Sequence, residues 1–420
     1  MSDHLIGLLL GTEEDWPRAF EALVGRLGPV RWRGEEHRLT TERIVNEPFD
    51  LRAKPRYSLV IDRLAWWYDL PREWLKKISL GNDVYLLNNP FTFQAMEKHS
   101  AYVALIRLGV KVPETWMVPH KAPTPIPRFE YMASKFADVA SKYNVPFDLA
   151  AIAERIGYPL YMKPFDGGQW VGVTRVHDSV ELQERYDASG ERLMHLQAAV
   201  SDFDVFVRSL SIGAETMPMH FDPDAPMHLR YVVDHEFLTP ELGWEVVTIS
   251  RLVNAFFLWE FNSCETLIKG GEVFPIDYAN ASPDVALTSL HYYFPWAMKA
   301  LVKWCTFCTV TERAVRVAQD LGPFLAIGDR EDLGYEQKLA DYRKLADAHF
   351  QTERYAEFCR EALPHLDELA LDWFASRDFD ALLVEVVTAT FPEHEHEEMV
   401  ARHRGLLGQW AREQETVAAS

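Results

Sequence analysis

Lys163 stands just ahead of Gly167 and Gly168 in the stretch YPLYMKPFDGGQWVGV, residues 158–173. A lysine at the end of an apolar run supplies a mobile positive charge. Adjacent glycines can turn backbone amides toward an anion at little steric cost. Taken alone, the stretch reads equally well as a hairpin with an incidental lysine, and it is neither GxxxxGK[ST] nor GxGxxG. A second constellation shifts that balance. WEFNSCETLIKGGEVFPIDYANASPD, residues 259–284, carries Glu265, a turn at Gly270 and Gly271, then Asp277 and Asn280. A hairpin returning on itself brings Glu265 and Asp277 to adjacent positions with the Asn280 carbonyl oxygen near them. Two carboxylates and an amide oxygen are the hard donors that Mg²⁺ prefers when phosphates complete its shell. The plainer reading leaves Glu265 solvated and Asn280 capping a turn before Pro283.

Between these motifs lies HLQAAVSDFDVFVRSLSIG, residues 195–213. LQAAV reads as a strand entering a hinge whose backbone can read an adenine edge. Asp204 falls where a carboxylate can accept ribose hydroxyls, and Arg208 follows on a strand of alternating apolar residues. A surface salt bridge between Asp204 and Arg208 explains the same segment equally well.

The elements that must position these residues follow from periodicity. HLIGLLLG (4–11) reads as a buried strand, followed by an acidic helix start at 12–15 with Pro17 in its first turn. YSLVIDR (57–63) and VYLLN (84–88) read as further strands, with a helix from Pro71 between them. Short apolar strands alternating with helices imply an open α/β domain over residues 1–95. MEKHSAYVALIRLG (96–109) predicts a helix with Tyr102, Leu105 and Ile106 on its apolar face and Gly109 as its cap, followed by an edge strand interrupted by Pro113. Residues 119–150 read as an irregular excursion with one helix, and a second α/β region runs from Leu149 to about 290. Beyond Trp296 charged helical periodicity predominates, which implies a helical extension over 296–420.

The chain has 420 residues, ample for two or three domains, and 63 acidic against 43 basic residues give a net charge of −20. No compact basic run tracks a nucleic-acid backbone against that field, so nucleic acid is excluded as the expected partner. Four cysteines are too few for a disulfide scaffold, and no charge-free run reaches membrane-spanning length. The start MSDHLIGLLLG lacks a basic leader, so a cytoplasmic protein with no membrane partner is expected. His220, His228 and His235 lack the compact framework of a zinc site, and WCTFC reads as helix packing.

Together, YMKPFDGGQWVGV, LQAAVSDFD with Arg208, and FNSCETLIKGGEVFPIDYANASPD resemble the ATP-grasp superfamily of ATP-dependent carboxylate–amine ligases. NNPFTFQAMEKHSAYVALIRLGVKVPETW resembles that family's entry into its nucleotide-binding region, and the likeness spans residues 57–290. The resemblance implies an α+β ATP-grasp region at 96–295 and ATP and Mg²⁺ as cofactors. Lys163 resembles the second phosphate-binding lysine and residues 165–171, with Gly167 and Gly168, the glycine-rich lid. Lys98 or Lys135 takes the place of the first lysine. Gln197 to Val200 resemble the adenine hinge, Asp204 the ribose carboxylate, and Glu265, Asp277 and Asn280 the metal ligands. The family's final Glu-x-Asn is here Asp277-Tyr278-Ala279-Asn280, one residue longer, and Gln197 stands where an acid is common.

The implied reaction begins with attack of a carboxylate on the γ-phosphorus of ATP, followed by displacement of phosphate from the acyl phosphate by an amine. Closure of the 164–170 loop, dried by Phe165 and Trp170, would protect the intermediate. Arg208, Arg230 and Arg251 are the candidate substrate anchors, and Arg208 and Arg251 with Lys163 form the expected catalytic set. The substrates expected are a small-molecule or peptide carboxylate and an amine, with the helical extension packing on the body or mediating a homo-oligomer or protein partner. A phosphotransferase or carboxylase-like enzyme, and a degenerate nucleotide-binding scaffold, are the alternatives.

Overall fold

The computed structural model describes residues 2–122, 135, 146–166, 168, 170–280 and 282–419, with the backbone alone at 94–96 and 417–419. Three sheets organise the chain. The first has the order β2-β3-β1-β4-β5, with β1 (Ser2–Leu9), β2 (Val30–Trp32), β3 (Glu35–Arg43), β4 (Leu59–Asp62) and β5 (Tyr85–Leu87). All neighbours pair in parallel except β2 with β3. The expected strands at 4–11, 57–63 and 84–88 are β1, β4 and β5. Helix α1 (Asp15–Leu27) carries Pro17 in its first turn, and α2 (Asp69–Asn82) fills the gap before β5. β2 and β3 add two strands beyond those the periodicity predicts. Of the nine residues of EEHRLTTER only His37 and Leu39 are buried, too few to stand out as a strand.

Helix α3 (Lys98–Arg107) follows, and Gly109 behind it has a φ of +80°, as a glycine cap requires. Tyr102 and Leu105 are buried, but Ile106 faces solvent. The second sheet, β6-β9-β7-β8, contains β6 (Thr115–Val118) as an edge strand, β7 (Leu160–Pro164), β8 (Thr174–Val176) and β9 (Met194–Ala198). β8 starts at Thr174, later than the expected return at Val171, because Met162 pairs with Thr174 and leaves 165–173 as the connection. Most of the 119–150 excursion lies outside the described residues.

The third sheet is antiparallel, β12-β11-β10-β13-β14, with β10 (Val205–Ile212), β11 (Glu215–Phe221), β12 (Tyr231–Val232), β13 (Phe261–Lys269) and β14 (Glu272–Asp277). Helix Pro240–Phe257, capped by Thr239 with Pro240 in its first turn, packs on one face of it. From Phe294 onward the regular elements of the described chain are all helices, and these helices do not form a separate body. Residues from Ile6 to Trp410 belong to one continuous core joining the first sheet, the third sheet and the helices. The second sheet has a core of its own, built from Val118, Leu160, Met162, Val176, Met194 and Leu196 with the helices Leu149–Ile156 and Ser179–Ser189.

Glu260 fastens the large core. Its carboxylate accepts from Tyr85 Oη at 2.7 Å, Trp304 Nε1 at 2.9 Å and Arg313 Nη2 at 3.1 Å, so one buried anion ties β5, the approach to β13 and the helices. Trp304, on helix Phe294–Val310, lies directly under Gly213, whose φ is +56°. A Cβ there would sit 1.9 Å from Trp304 Cδ2. Gly213→Ala should therefore cost about 3 kcal/mol or more in chemical denaturation, and a loss below about 1 kcal/mol would contradict this packing.

Candidate functional site

The hairpin joining β13 and β14 turns through Gly270 and Gly271, whose φ values of +58° and +79° match the tight two-residue turn. Lys269 faces Glu272, and the register then runs evenly back to Thr266 opposite Pro275. One further step would set Glu265 opposite Ile276 and leave Asp277 on the other face. A bulge intervenes, and Glu265 pairs with Asp277 instead. Glu265 is also the partner of Arg208 on β10, which pairs with Met219 on β11. Arg208, Glu265 and Asp277 thus occupy one cross-strand row on the face away from helix Pro240–Phe257.

Helix α3 and the second sheet face this row. Lys98 Nζ lies 2.8 Å from Asp277 Oδ2, and Tyr102 Oη donates to the carbonyl of the bulged Ile276 at 2.5 Å. On β7, Leu160 and Met162 point into the small core while Lys163 points into the cleft, where it donates to Gln197 Oε1 at 2.7 Å. Gln197 Nε2 donates in turn to Thr115 Oγ1 at 2.8 Å. The backbone amide of Lys98 donates to Phe165 O at 3.2 Å, which joins α3 to the root of the glycine loop.

The charged side chains of this cleft are buried or half-buried. Burial, with Lys98 alongside, pulls Lys163 down to about 8 against the attraction of Asp277. Burial and the facing Asp277 raise Glu265, opposed by Arg208. Arg208 lies 3.9 Å from Glu265, with its guanidinium 5.2 Å from the Phe221 ring centre and its Nε without a partner. Asp277 Oδ1 is likewise buried and without a partner. An open carboxylate oxygen opposite a second carboxylate fits a divalent cation whose remaining ligands come from a phosphate. No group of three or more His, Cys, Asp or Glu side chains fit to hold a metal occurs among the described residues, so this chemistry needs phosphate oxygens to complete the shell.

Lys98, Lys163, Arg208, Glu265 and Asp277 therefore meet in one cleft, and other residues of the expected set sit elsewhere. Arg251 is on the helix behind the third sheet, where it bonds Asp347 at 2.6 Å and Thr352 at 2.7 Å, so its charge serves the helical packing. Arg230 Nε donates to Ala225 O at 3.0 Å, within its own loop. Asp204 accepts from Gly270 N at 2.7 Å and so caps the hairpin turn. Asn280 Oδ1 accepts from Ser282 N at 3.2 Å, the turn-capping role, while its backbone N–H donates to Asn262 Oδ1 at 2.8 Å and its Nδ2 to Ser263 Oγ at 3.2 Å. Gln197 turns its amide toward Lys163, and the hinge beyond it is carried by backbone bonds from Ala198 N to Glu114 O and Ala199 N to Pro159 O. Val200 packs at the edge of the large core. Lys135 is exposed. Gly167 lies outside the described residues, Gly168 is exposed with open space around it, and Trp170 faces solvent, so it does not dry the loop's underside. Tyr102, His99, His195 and Asn262 also line or brace the site, and nothing local to them in the sequence marks that role, Tyr102 reading only as part of an apolar helix face.

No family model matches the chain. A 123-residue segment is 26% identical to the Fe(2+) transporter FeoB of Synechocystis, covering 29% of this chain and 20% of that protein. Among the described residues no helix is long and apolar enough to cross a membrane. Solved structures similar to the chain include the D-alanine–D-alanine ligase of Bacillus anthracis complexed with ATP, at 14% identity, covering 74% of this chain and 100% of that one with a TM-score of 0.47. The RimK domain ATP-grasp protein of Sphaerobacter thermophilus is 15% identical, covering 71% and 98%, with a TM-score of 0.46. The macrocyclase MdnC of Microcystis aeruginosa, bound with precursor peptide MdnA, is 10% identical over 71% and 98%, also with a TM-score of 0.46.

Lys163 gives a signed test of the cleft's burial. Unfolding returns the amine to water and its usual 10.5, so between pH 8 and 10.5 the unfolded chain holds a proton that the folded one has lost. Stability attributable to Lys163 therefore rises with pH across that window and is flat below it. The stability of wild type relative to Lys163→Met should rise by up to about 3 kcal/mol from pH 7 to pH 10.5. A difference independent of pH would contradict a buried lysine.

Proposed function

We propose that the chain is an ATP-dependent ligase that activates a substrate carboxylate as an acyl phosphate and couples it to an amine, releasing ADP and phosphate. The observation that carries this reading is the cross-strand row of Arg208, Glu265 and Asp277 facing Lys98 and Lys163 across one cleft. Two lysines, an arginine and two carboxylates in one buried cluster suit phosphoryl transfer, where positioning and electrostatics supply most of the rate.

In this reading Lys163 exchanges Gln197 for a phosphate oxygen, and Lys98 holds Asp277 in place until the triphosphate arrives. Glu265 and Asp277 would hold Mg²⁺, which when bound neutralises charge on the transferred phosphoryl group. Arg208, already aimed into the cleft with an open Nε, receives the carboxylate and then the acyl phosphate. The adenine lies against the hinge at Gln197 to Val200, and residues 165–171 serve as the lid over the phosphates. Residues 96–295 form the nucleotide and substrate region, and 1–95 and 296–420 brace it. A cytoplasmic setting and a small-molecule or peptide carboxylate belong to the same proposal.

The test is a screen of amino acids, short peptides and polyamines for ADP release, with mass analysis of the product. A product equal in mass to acid plus amine minus water supports ligation, and a phosphorylated product supports a phosphotransferase instead. Lys163→Ala and Asp277→Asn should each abolish substrate-dependent ADP formation with the fold intact by circular dichroism. Turnover near wild type in either variant would overturn the assignment.

A further inference from the structure

His195 sits in β9 directly opposite Lys163 and therefore on the same face of the second sheet. It is 1% exposed, and neither of its ring nitrogens has a hydrogen-bond partner. Its neighbours Met194 and Leu196 fill the small core, so the alternation of the strand aims His195 into the cleft. There its ring centre lies 5.9 Å from that of His99 and 5.9 Å from that of Tyr102. His99 follows Lys98 on α3, has a buried Nδ1 without a partner, and packs 6.2 Å from the ring of Phe165 at the root of the glycine loop.

Buried polar atoms in folded proteins are almost always paired, and leaving them unpaired is costly. Two imidazoles with open nitrogens beside two lysines are not explained by packing, which apolar side chains of similar volume would do better. The need is for an acceptor delivered from outside the protein. The neighbouring cations favour an anionic one. Burial, His99 and the two lysines push His195 down to about 4, so near neutral pH the ring is uncharged with one N–H to donate.

We infer that His195, seated against His99, is a phosphate-binding residue that donates an N–H to the nucleotide's phosphates beside Lys163. The assignment rests on the nucleotide reading of the cleft and adds an uncharged donor to the cationic pair. Such a donor gives contact to phosphate without adding a further positive charge to an already crowded pocket.

Calorimetric titration of wild-type protein, His195→Leu and His195→Gln with ADP and with adenosine, in the presence of Mg²⁺, tests it. His195→Leu should weaken ADP about tenfold, equivalent to about 1.4 kcal/mol, while leaving adenosine unchanged and thermal stability equal or higher. His195→Gln keeps an N–H donor and should recover most of the loss. ADP affinity unchanged in His195→Leu, or an equal loss for ADP and adenosine, would overturn the assignment while leaving the nucleotide site standing. Failure of wild-type protein to bind ADP would overturn the nucleotide reading and this assignment together. Should His195→Leu not fold, His195→Phe, which also removes the donor, decides the matter: ADP binding at wild-type strength together with the same adenosine affinity refutes a phosphate contact at His195.

Discussion

A single extra residue in β14 governs what the cleft can do. With Ile276 bulged out of register, Asp277 stands beside Glu265 and on the same face as Arg208. Without it the strand's period of two would send Asp277 to the apolar side, against helix Pro240–Phe257, and the cleft would keep only one carboxylate. The bulge is held from both sides. Tyr102 bonds the Ile276 carbonyl, and Lys98 bonds the displaced Asp277 carboxylate. Both anchors come from α3, so that helix sets the geometry of a sheet it does not belong to.

The cleft's two walls are packed separately. The third sheet shares its core with the first sheet and the helices, pinned by Glu260 and its three donors. The second sheet, which carries Lys163, His195 and Gln197, closes over a small core of its own. A cleft between separately packed walls can change width without breaking either core, the arrangement a site needs if it must admit a large anionic ligand and then exclude water. The cations facing that gap are held within their own walls, Lys98 by Asp277 and Lys163 by Gln197. A phosphate would compete for these same cations.

What could be read from the sequence followed the range of the interactions involved. The Gly270–Gly271 turn, the strand on either side and the pairing of Glu265 with Asp277 were legible because a hairpin's register is local. The bulge that makes the pairing work was not, since it depends on Tyr102, far away in sequence. Lys163 was legible from the run it ends. Arg251 was misplaced because closeness in sequence to β13 says nothing of which face of the sheet its helix covers, and its partner Asp347 lies in the helical region. Asp204 and Asn280 turned out to satisfy nearby backbone groups, the usual local role of short polar side chains. β3 escaped notice because its charged side chains are exposed and only two of its residues face the core.

The central claim is that Glu265 and Asp277 seat a divalent cation against the phosphates of ATP. A crystal structure of the chain with a non-hydrolysable ATP analogue and Mn²⁺ tests it most directly. The account predicts an anomalous peak bridging Asp277 Oδ1, Glu265 and the phosphates, with Lys163 moved from Gln197 onto a phosphate oxygen. Nucleotide bound away from this cleft, or bound in it with Mn²⁺ on neither carboxylate, would contradict the account.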